Sequence, residues 1–270
     1  MRSLPEDREY VAALVRRLRH VDDISDGEVG ALAGLISEVR SFAAQAEICR
    51  RAEPLDVSKL LVDGFVGRTC RLADGRRQIL AIHVPGDYVD LHAYVLKSLD
   101  HDIVALSHAR LAVTPHDRVT RLADEQPHLA YLLWFTTAVD AAIHREWIAS
   151  FGRSAAARIA HLFCELRARL EAVGLADRSG YGLPLTQIDI ADATSLTPVH
   201  VNRTLRQMRE QGLLDFRHGR VEIGDLDGLI RLSQFDPRYL YLDRLARSAE
   251  APTRDRVSSG EGDRGLRGFS

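Results

Sequence analysis

The chain has 270 residues, with 36 Lys and Arg against 38 Asp and Glu, a formal net charge of −2 and 46% hydrophobic content. That length exceeds the roughly 100–200 residues of one domain, which excludes a small stapled fold, and the composition excludes a wholly disordered or fibrous chain. The near-neutral charge gives no chain-wide cationic field for nucleic acid or anionic membrane, so any such signal has to be local.

Only Lys59 and Lys97 are lysines, leaving 34 of the 36 basic residues as arginine, a bias that a GC-rich coding sequence accounts for without invoking phosphate recognition. The cysteines Cys49, Cys70 and Cys164 are odd in number and form no CxxC pair, which argues against an extracellular disulfide framework and for a reducing cytoplasm. The charged start, Met1 to Glu9, lacks a signal peptide's apolar core. The longest apolar stretch, near Ala130 to Ile143, falls short of the ~18 residues of a spanning helix and contains Asp140, so no membrane partner is expected.

In chain order, apolar residues recur at helical spacing from Glu9 to about Ala46, with a break at Asp26-Gly27, which predicts two amphipathic helices over 1–47. Val39 is assigned to the second. From Ile48 to Pro115 the pattern changes to short Val-, Ile- and Leu-rich runs punctuated by Asp63-Gly64, Asp74-Gly75 and Pro85-Gly86-Asp87, dipeptides suited to hairpin turns. Strands at Leu60 to Phe65, Arg68 to Leu72 and Gln78 to Val84 suggest an antiparallel roll over 48–126. A run of about 24 residues from Pro127 to Phe151 without internal Gly or Pro makes roughly 36 Å of helix. Its stripe of Leu129, Leu133, Thr136, Ile143 and Trp147 fits a core helix and a dimer seam equally well, with Asp140 interrupting a seam.

Phe151 to Ser154 breaks the chain, placing a hinge at 127–153 and a second domain at 154–235, with Ser154 as N-cap of a helix to Val173. A hairpin is expected at Phe216 to Ile223. The segment 236–270 reads as a largely disordered tail rich in Ser, Gly, Arg and Glu.

The segment from Leu185 to Leu214 is the most informative. Thr186 followed by Asp189 matches a capping box, and Thr197 can cap a second helix with Pro198 at its first position. Val201, Leu205 and Met208 form the buried stripe of that helix, leaving His200, Asn202, Arg203, Arg206 and Arg209 on or near its outer side. From Leu196 to Arg220, five arginines against Glu210 and Asp215 give a local charge of +3. Helix, tight turn and a polar second helix is the arrangement that enters a major groove about 12 Å wide. Arg217 to Arg220 at the hairpin tip would then form a wing touching phosphate.

These residues resemble the Crp/Fnr family of bacterial transcription regulators over roughly Ile48 to Gln234. Val62 to Val66, Ala73 to Ile79 and Pro85 to Asp87 are similar to that family's roll strands and turns, and Val201 to Leu205 through Gln211 to Leu214 to its recognition helix. The resemblance implies an α+β fold of N-terminal cyclic-nucleotide-binding-like β-roll of jelly-roll type, long dimerisation helix and C-terminal winged helix-turn-helix. It also implies a homodimer on an imperfectly palindromic operator in double-stranded DNA, and work beside RNA polymerase. The DNA-binding residues expected are Thr197, Pro198, Val199, His200, Asn202, Arg203, Arg206, Arg217 and Arg220, with Arg203 at the position of the family's guanine-reading arginine and Val199 a candidate for a thymine methyl. Pro198 and Val199 replace the Arg and Glu of cyclic-AMP-responsive members, so the target sequence differs from theirs.

No cofactor is expected. Where cyclic-nucleotide members carry Gly-Glu and Arg-Ser or Arg-Thr, this chain has Asp90-Leu91 and His101-Asp102, placing negative charge where a phosphate would sit. Three scattered cysteines cannot supply the four thiolates of the family's iron–sulfur branch. His83, His92, His101, His108 and His116 show no tight metal-ligand spacing. Nearby arginines make Cys49 or Cys70 a candidate redox thiol, against the plainer expectation of an inert half-buried cysteine. No catalytic set is legible; the alternatives are a cupin-like metalloenzyme with an accessory helical domain, which needs a His/Glu ligand set in the roll, and a dimeric ligand-binding module that does not touch DNA.

Overall fold

The structure, a computed structural model, describes residues 4–243. Helices α1 (Leu4–Leu18) and α2 (Asp26–Gly34) lead the chain, and α2 starts on a capping box in which Ser25 and Glu28 satisfy each other's backbone N–H. The roll follows: β1 (Glu38–Phe42), β2 (Glu47–Cys49), β3 (Val57–Asp63), β4 (Val66–Arg71), β5 (Arg77–His83), the single turn α3 (Ala93–Leu96), β6 (Asp102–Ala105) and β7 (Ala109–Pro115). Two antiparallel sheets, ordered β1-β7-β3 and β2-β6-β4-β5, enclose Leu61, Val66, Val89, Ile103 and Leu111.

Two of the expected boundaries change here. The second helix ends at Gly34, and Val39 pairs with Ala112 across β1 and β7, so the roll begins at Glu38 and not at residue 48. The spacing of Leu35, Ile36 and Val39 fits a helical face, yet Leu35 and Ile36 are plugs between α2 and the sheet, after which the side chains alternate. Helices α1 and α2 pack on the outside of this sheet, through Leu14, Leu18 and Leu32 against Leu60 and Ala112.

Next come α4 (His116–Glu125) and the 24-residue α5 (Pro127–Ser150), which opens with Pro127 in its first turn. The C-terminal domain contains α6 (Ala155–Ala172), β8 (Gly180–Gly182), α7 (Gln187–Thr194), α8 (Pro198–Glu210), β9 (Leu214–Arg217), β10 (Arg220–Ile223) and α9 (Leu226–Ser233). Ser154 caps α6 as expected, its side chain accepting from the Ala157 N–H. Strand β8 adds to the hairpin as a third strand, ordered β8-β10-β9; a Cβ at Gly180 would lie 2.0 Å from the Val221 carbonyl oxygen, so glycine is required there.

One apolar cluster joins the two domains: Ile79 and Ile82 of β5, Val139, Ile143 and Trp147 of α5, and Phe163, Tyr181, Val201 and Leu229 of the C-terminal domain. Leu129, Leu133, Ile143 and Trp147 are buried within this chain, so the stripe expected as core or seam is core. Exposed positions of α5 include Tyr131, Trp134, Ala138, Ala141, Arg145 and Ile148, a 3-4-3-4-3 spacing on another face, with Trp134 72% and Ile148 68% exposed. Asp140 does not interrupt that face.

The segment expected to be tail from residue 236 starts with structure. Pro237–Leu240 is a 3-10 turn whose Leu240 is buried and whose Tyr239 hydroxyl donates to Glu165 Oε2 at 2.8 Å. Phe235, Tyr239, Leu240 and Leu242 supply the apolar surface that fastens it. The rest of the expected tail, 244–270, lies outside the described residues. Among the described residues, no helix is long and apolar enough to cross a membrane.

Candidate nucleic-acid interface

Helix α7 begins on Thr186, which accepts from the Asp189 N–H, while Asp189 Oδ2 accepts from the Thr186 N–H at 2.8 Å. Ser195 ends it in the left-handed region at φ 52, a conformation that turns the chain within three residues. Thr197 then caps α8, accepting from the His200 N–H at 3.2 Å, and Pro198 occupies the first turn. Val201, Thr204, Leu205 and Met208 are buried, so the opposite side of α8 has to face solvent.

Thr197, Pro198, Val199, Asn202, Arg203 and Arg206 are exposed and His200 is half-buried; Val199, at 79%, is an apolar side chain left in water. The charges are not equivalent. Arg206 is held by Glu210 at 2.9 Å, Arg209 by Asp215 at 2.7 Å and Arg217 by the same Asp215 at 3.2 Å. Among the described residues, Arg203 has no hydrogen bond or ion pair, so its guanidinium can leave water for a ligand without breaking a protein contact. Asn202 Nδ2 donates to Gln187 Oε1 at 3.1 Å, tying the two helices together on their outer side. Gln187 was not singled out from the sequence, although its place at the start of α7 beside the capping residue was a usable signal.

The hairpin expected at Phe216 to Ile223 is present as β9 and β10, joined through His218 at φ 51 and Gly219 at φ 71. Two successive positive φ values make the two-residue turn whose twist suits a hairpin. Arg217 and Arg220 flank it, both exposed; the nearby Asp177 carboxyl is lowered mainly by hydrogen bonds from Ser179 and Gly180, with a smaller contribution from the Arg220 charge.

A cavity of about 660 Å³ lies between the roll, α5 and the turn before α8, lined among others by Arg68, His92, His101, Asp140, His144 and Ser195. Asp90 and Asp102, expected at a phosphate position, are not on its wall. Asp90 is buried against Lys59, accepting from its N–H at 2.6 Å and its Nζ at 2.8 Å, and Asp102 accepts from the Arg51 N–H. Each is drawn away by a nearer donor. The arginine that does face the cavity, Arg68, is paired with Asp140 at 2.6 Å. Cys49 and Cys164 are buried and Cys70 is half-buried. Burial pushes the Cys49 thiol up to about 11, so the nearby arginines do not make it the reactive thiolate considered above. Among the described residues, no three His, Cys, Asp or Glu side chains converge as a metal-ligand group.

Residues 39–126 match the cyclic nucleotide-binding domain family and residues 157–232 the Crp-like helix-turn-helix domain family. The chain belongs to the Crp/Fnr family of transcription regulators. This Crp/Fnr regulator is 25% identical over 193 residues to the transcriptional activator protein FnrL of Cereibacter sphaeroides, spanning 70% of this chain and 77% of that one. It is 29% identical over 194 residues to the nitrogen fixation regulation protein FixK of Azorhizobium caulinodans, 71% and 77% of the two chains. The solved structure of FixK2 from Bradyrhizobium japonicum superposes with a TM-score of 0.67 at 27% identity, over 75% of this chain and all of that one. The relatives and structural neighbours of this regulator are transcription regulators and not enzymes, which removes the cupin-like alternative. Its helix-turn-helix is a DNA-binding domain, which removes the DNA-free module.

Proposed function

We propose that this regulator is a cytoplasmic homodimer that reads a palindromic operator by inserting α8 into successive major grooves, and that it does so without a cyclic nucleotide or an iron–sulfur cluster. The observation that carries this reading is Arg203, an exposed and unpaired guanidinium one turn into a well-capped helix, placed to donate both N–H groups to guanine O6 and N7. Val199, Asn202 and His200 are its neighbours on the groove side, with Val199 suited to a thymine methyl, while Thr197 and Pro198 sit at the helix entry and Arg206, Arg217 and Arg220 meet phosphate.

Pairing is through the exposed face of α5. The spacing of Tyr131, Trp134, Ala138, Ala141, Arg145 and Ile148 is that of a coiled-coil seam, and a two-fold axis there would set the recognition helices about 34 Å apart. The functional divisions are then the roll at 38–126, the dimerisation helix and hinge at 127–153 and the winged helix at 154–235. Contact with RNA polymerase follows from the family. Among the described residues that line the cavity, the one arginine, Arg68, is paired with Asp140, which supports independence from cyclic nucleotides; by the resemblance, His101 stands where the family's phosphate-binding arginine would be.

Footprinting of the purified chain on genomic DNA, with and without cyclic AMP or cyclic GMP, tests this. Protected inverted repeats with half-sites one helical turn apart, unchanged by nucleotide, are expected. Protection that appears only with nucleotide refutes the effector-free part, and protection of single unrepeated sites refutes the dimer.

A further inference from the structure

Beside the apolar cluster that joins the two domains, two groups of polar contacts tie the C-terminal domain to α1 and the roll and leave the recognition side of α8 uncovered. At the first, α1 meets the end of α6: Arg16 Nη1 donates to the Val173 carbonyl at 2.7 Å, and His20 Nε2 lies 3.2 Å from the Ala172 carbonyl. These are among the last carbonyls of α6, which the helix itself cannot satisfy and where its dipole favours a cation. Beside them, buried Asp87 of the roll is held by Arg17 of α1 and by Arg169 of α6, the latter at 2.6 Å. At the second point, Arg77 of β5 binds Asp189 at 2.5 Å and Asp192 at 2.7 Å, both on α7. Gln78 donates to the Asp192 carbonyl at 2.6 Å and accepts from the Ser195 hydroxyl at 3.0 Å.

We propose that Arg16, His20 and Arg77 are positioning residues for DNA binding: they hold the winged helix at one orientation to the sensor roll, so that little ordering remains to be done when the operator is engaged. Domain orientation within one chain is ordinarily mobile, and ordering it at the moment of binding costs affinity. Two clamps on opposite ends of the helical domain oppose rotation about the shared apolar cluster that a single clamp would permit. The clamps sit on the sides of α6 and α7 turned toward the roll, whereas Val199, Asn202 and Arg203 remain in solvent, so the clamped state does not occlude the recognition surface.

This rests on the DNA-binding reading above, and the experiment separates the two. Duplexes selected from a random pool by the full-length wild-type chain serve as probe, titrated at several salt concentrations against Arg16→Ala/His20→Ala, Arg77→Asp and the exchanged pair Arg77→Asp/Asp192→Arg. Arg16 and His20 bond only backbone carbonyls in this contact, so their removal strands no buried charge; circular dichroism and the dimer mass check folding. Expected are a loss of affinity on the order of five- to tenfold for the first two variants, an unchanged salt slope because no phosphate contact is lost, and partial recovery in the exchanged pair. Folded variants that bind as tightly as wild type or tighter overturn the positioning role. A wild-type chain that selects no sequence at all overturns the DNA-binding reading instead.

Discussion

Asp140, in the middle of α5, accepts a 2.6 Å hydrogen bond from Arg68 Nη1 of the roll. Arg68 is almost wholly buried and also donates through Nε to the Val89 carbonyl at 3.0 Å. The carboxyl is raised by burial but lowered more by Arg68 and the neighbouring His83 and His144, and settles at about 2. The pair therefore ties α5 to the roll.

Removing one member strands the other. Asp140→Ala leaves a buried guanidinium uncompensated and is expected to lower unfolding stability by about 3 kcal/mol, whereas replacing both Arg68 and Asp140 with leucine costs less than the single change. Urea titrations of the two variants check this; a double variant less stable than Asp140→Ala contradicts it.

The exposed face of α5 predicts a monomer mutant. Trp134→Glu with Ile148→Glu puts like charges across a symmetric seam while altering no buried residue. Sedimentation at micromolar concentration should show dimer for wild type and monomer for the variant, with unchanged circular dichroism. A variant that stays dimeric moves the interface elsewhere.

Acid should weaken the fold before most carboxylates titrate. His83 is fully buried beside Asp87, facing Arg68 and Asp140, and burial, reinforced by the Arg68 charge, holds its ring down to about 4. With an unfolded value near ~6.5, the folded state disfavours the added proton, so stability is complete above that pH and declines as pH falls toward 4. His161, also lowered to about 4, acts in the same direction. Melting curves from pH 7.5 to 4.5 should show Tm dropping below about pH 6.5, with a shallower drop for His83→Gln. A flat wild-type profile contradicts the assignment.

The wing and the recognition helix should fail differently. Arg217→Ala or Arg220→Ala should weaken binding to all sequences and flatten the salt dependence by about one unit per lost contact. Arg217 begins with an acidic partner, Asp215 at 3.2 Å, so Arg220→Ala should show the larger change. Filter binding across 50 to 200 mM salt reads both.

Local signals made the DNA-binding half legible from sequence. Thr186 with Asp189 and Thr197 with Pro198 carry their start positions in their own chemistry, and Ser154 did the same for α6. Elements that exist only through distant partners were not legible. β1 is defined by pairing with β7, more than sixty residues on, and β8 by a close approach to Val221. The stripe from Leu129 to Trp147 stayed open between core and seam because apolar residues surround α5, and only packing against the roll and α6 decides which become core. Asp90 was read as a pocket charge because nothing in the sequence brings Lys59 to it.

Arg203 is proposed to read a base edge. Selection of binding sites from random duplexes by wild type and by Arg203→Ala, with dimer mass verified, tests it most directly. The account predicts a two-fold symmetric consensus with a strong guanine in each half-site for wild type, and for the variant ~1–3 kcal/mol weaker binding with that one position relaxed and the others retained. A variant that selects the same guanine with wild-type affinity contradicts it.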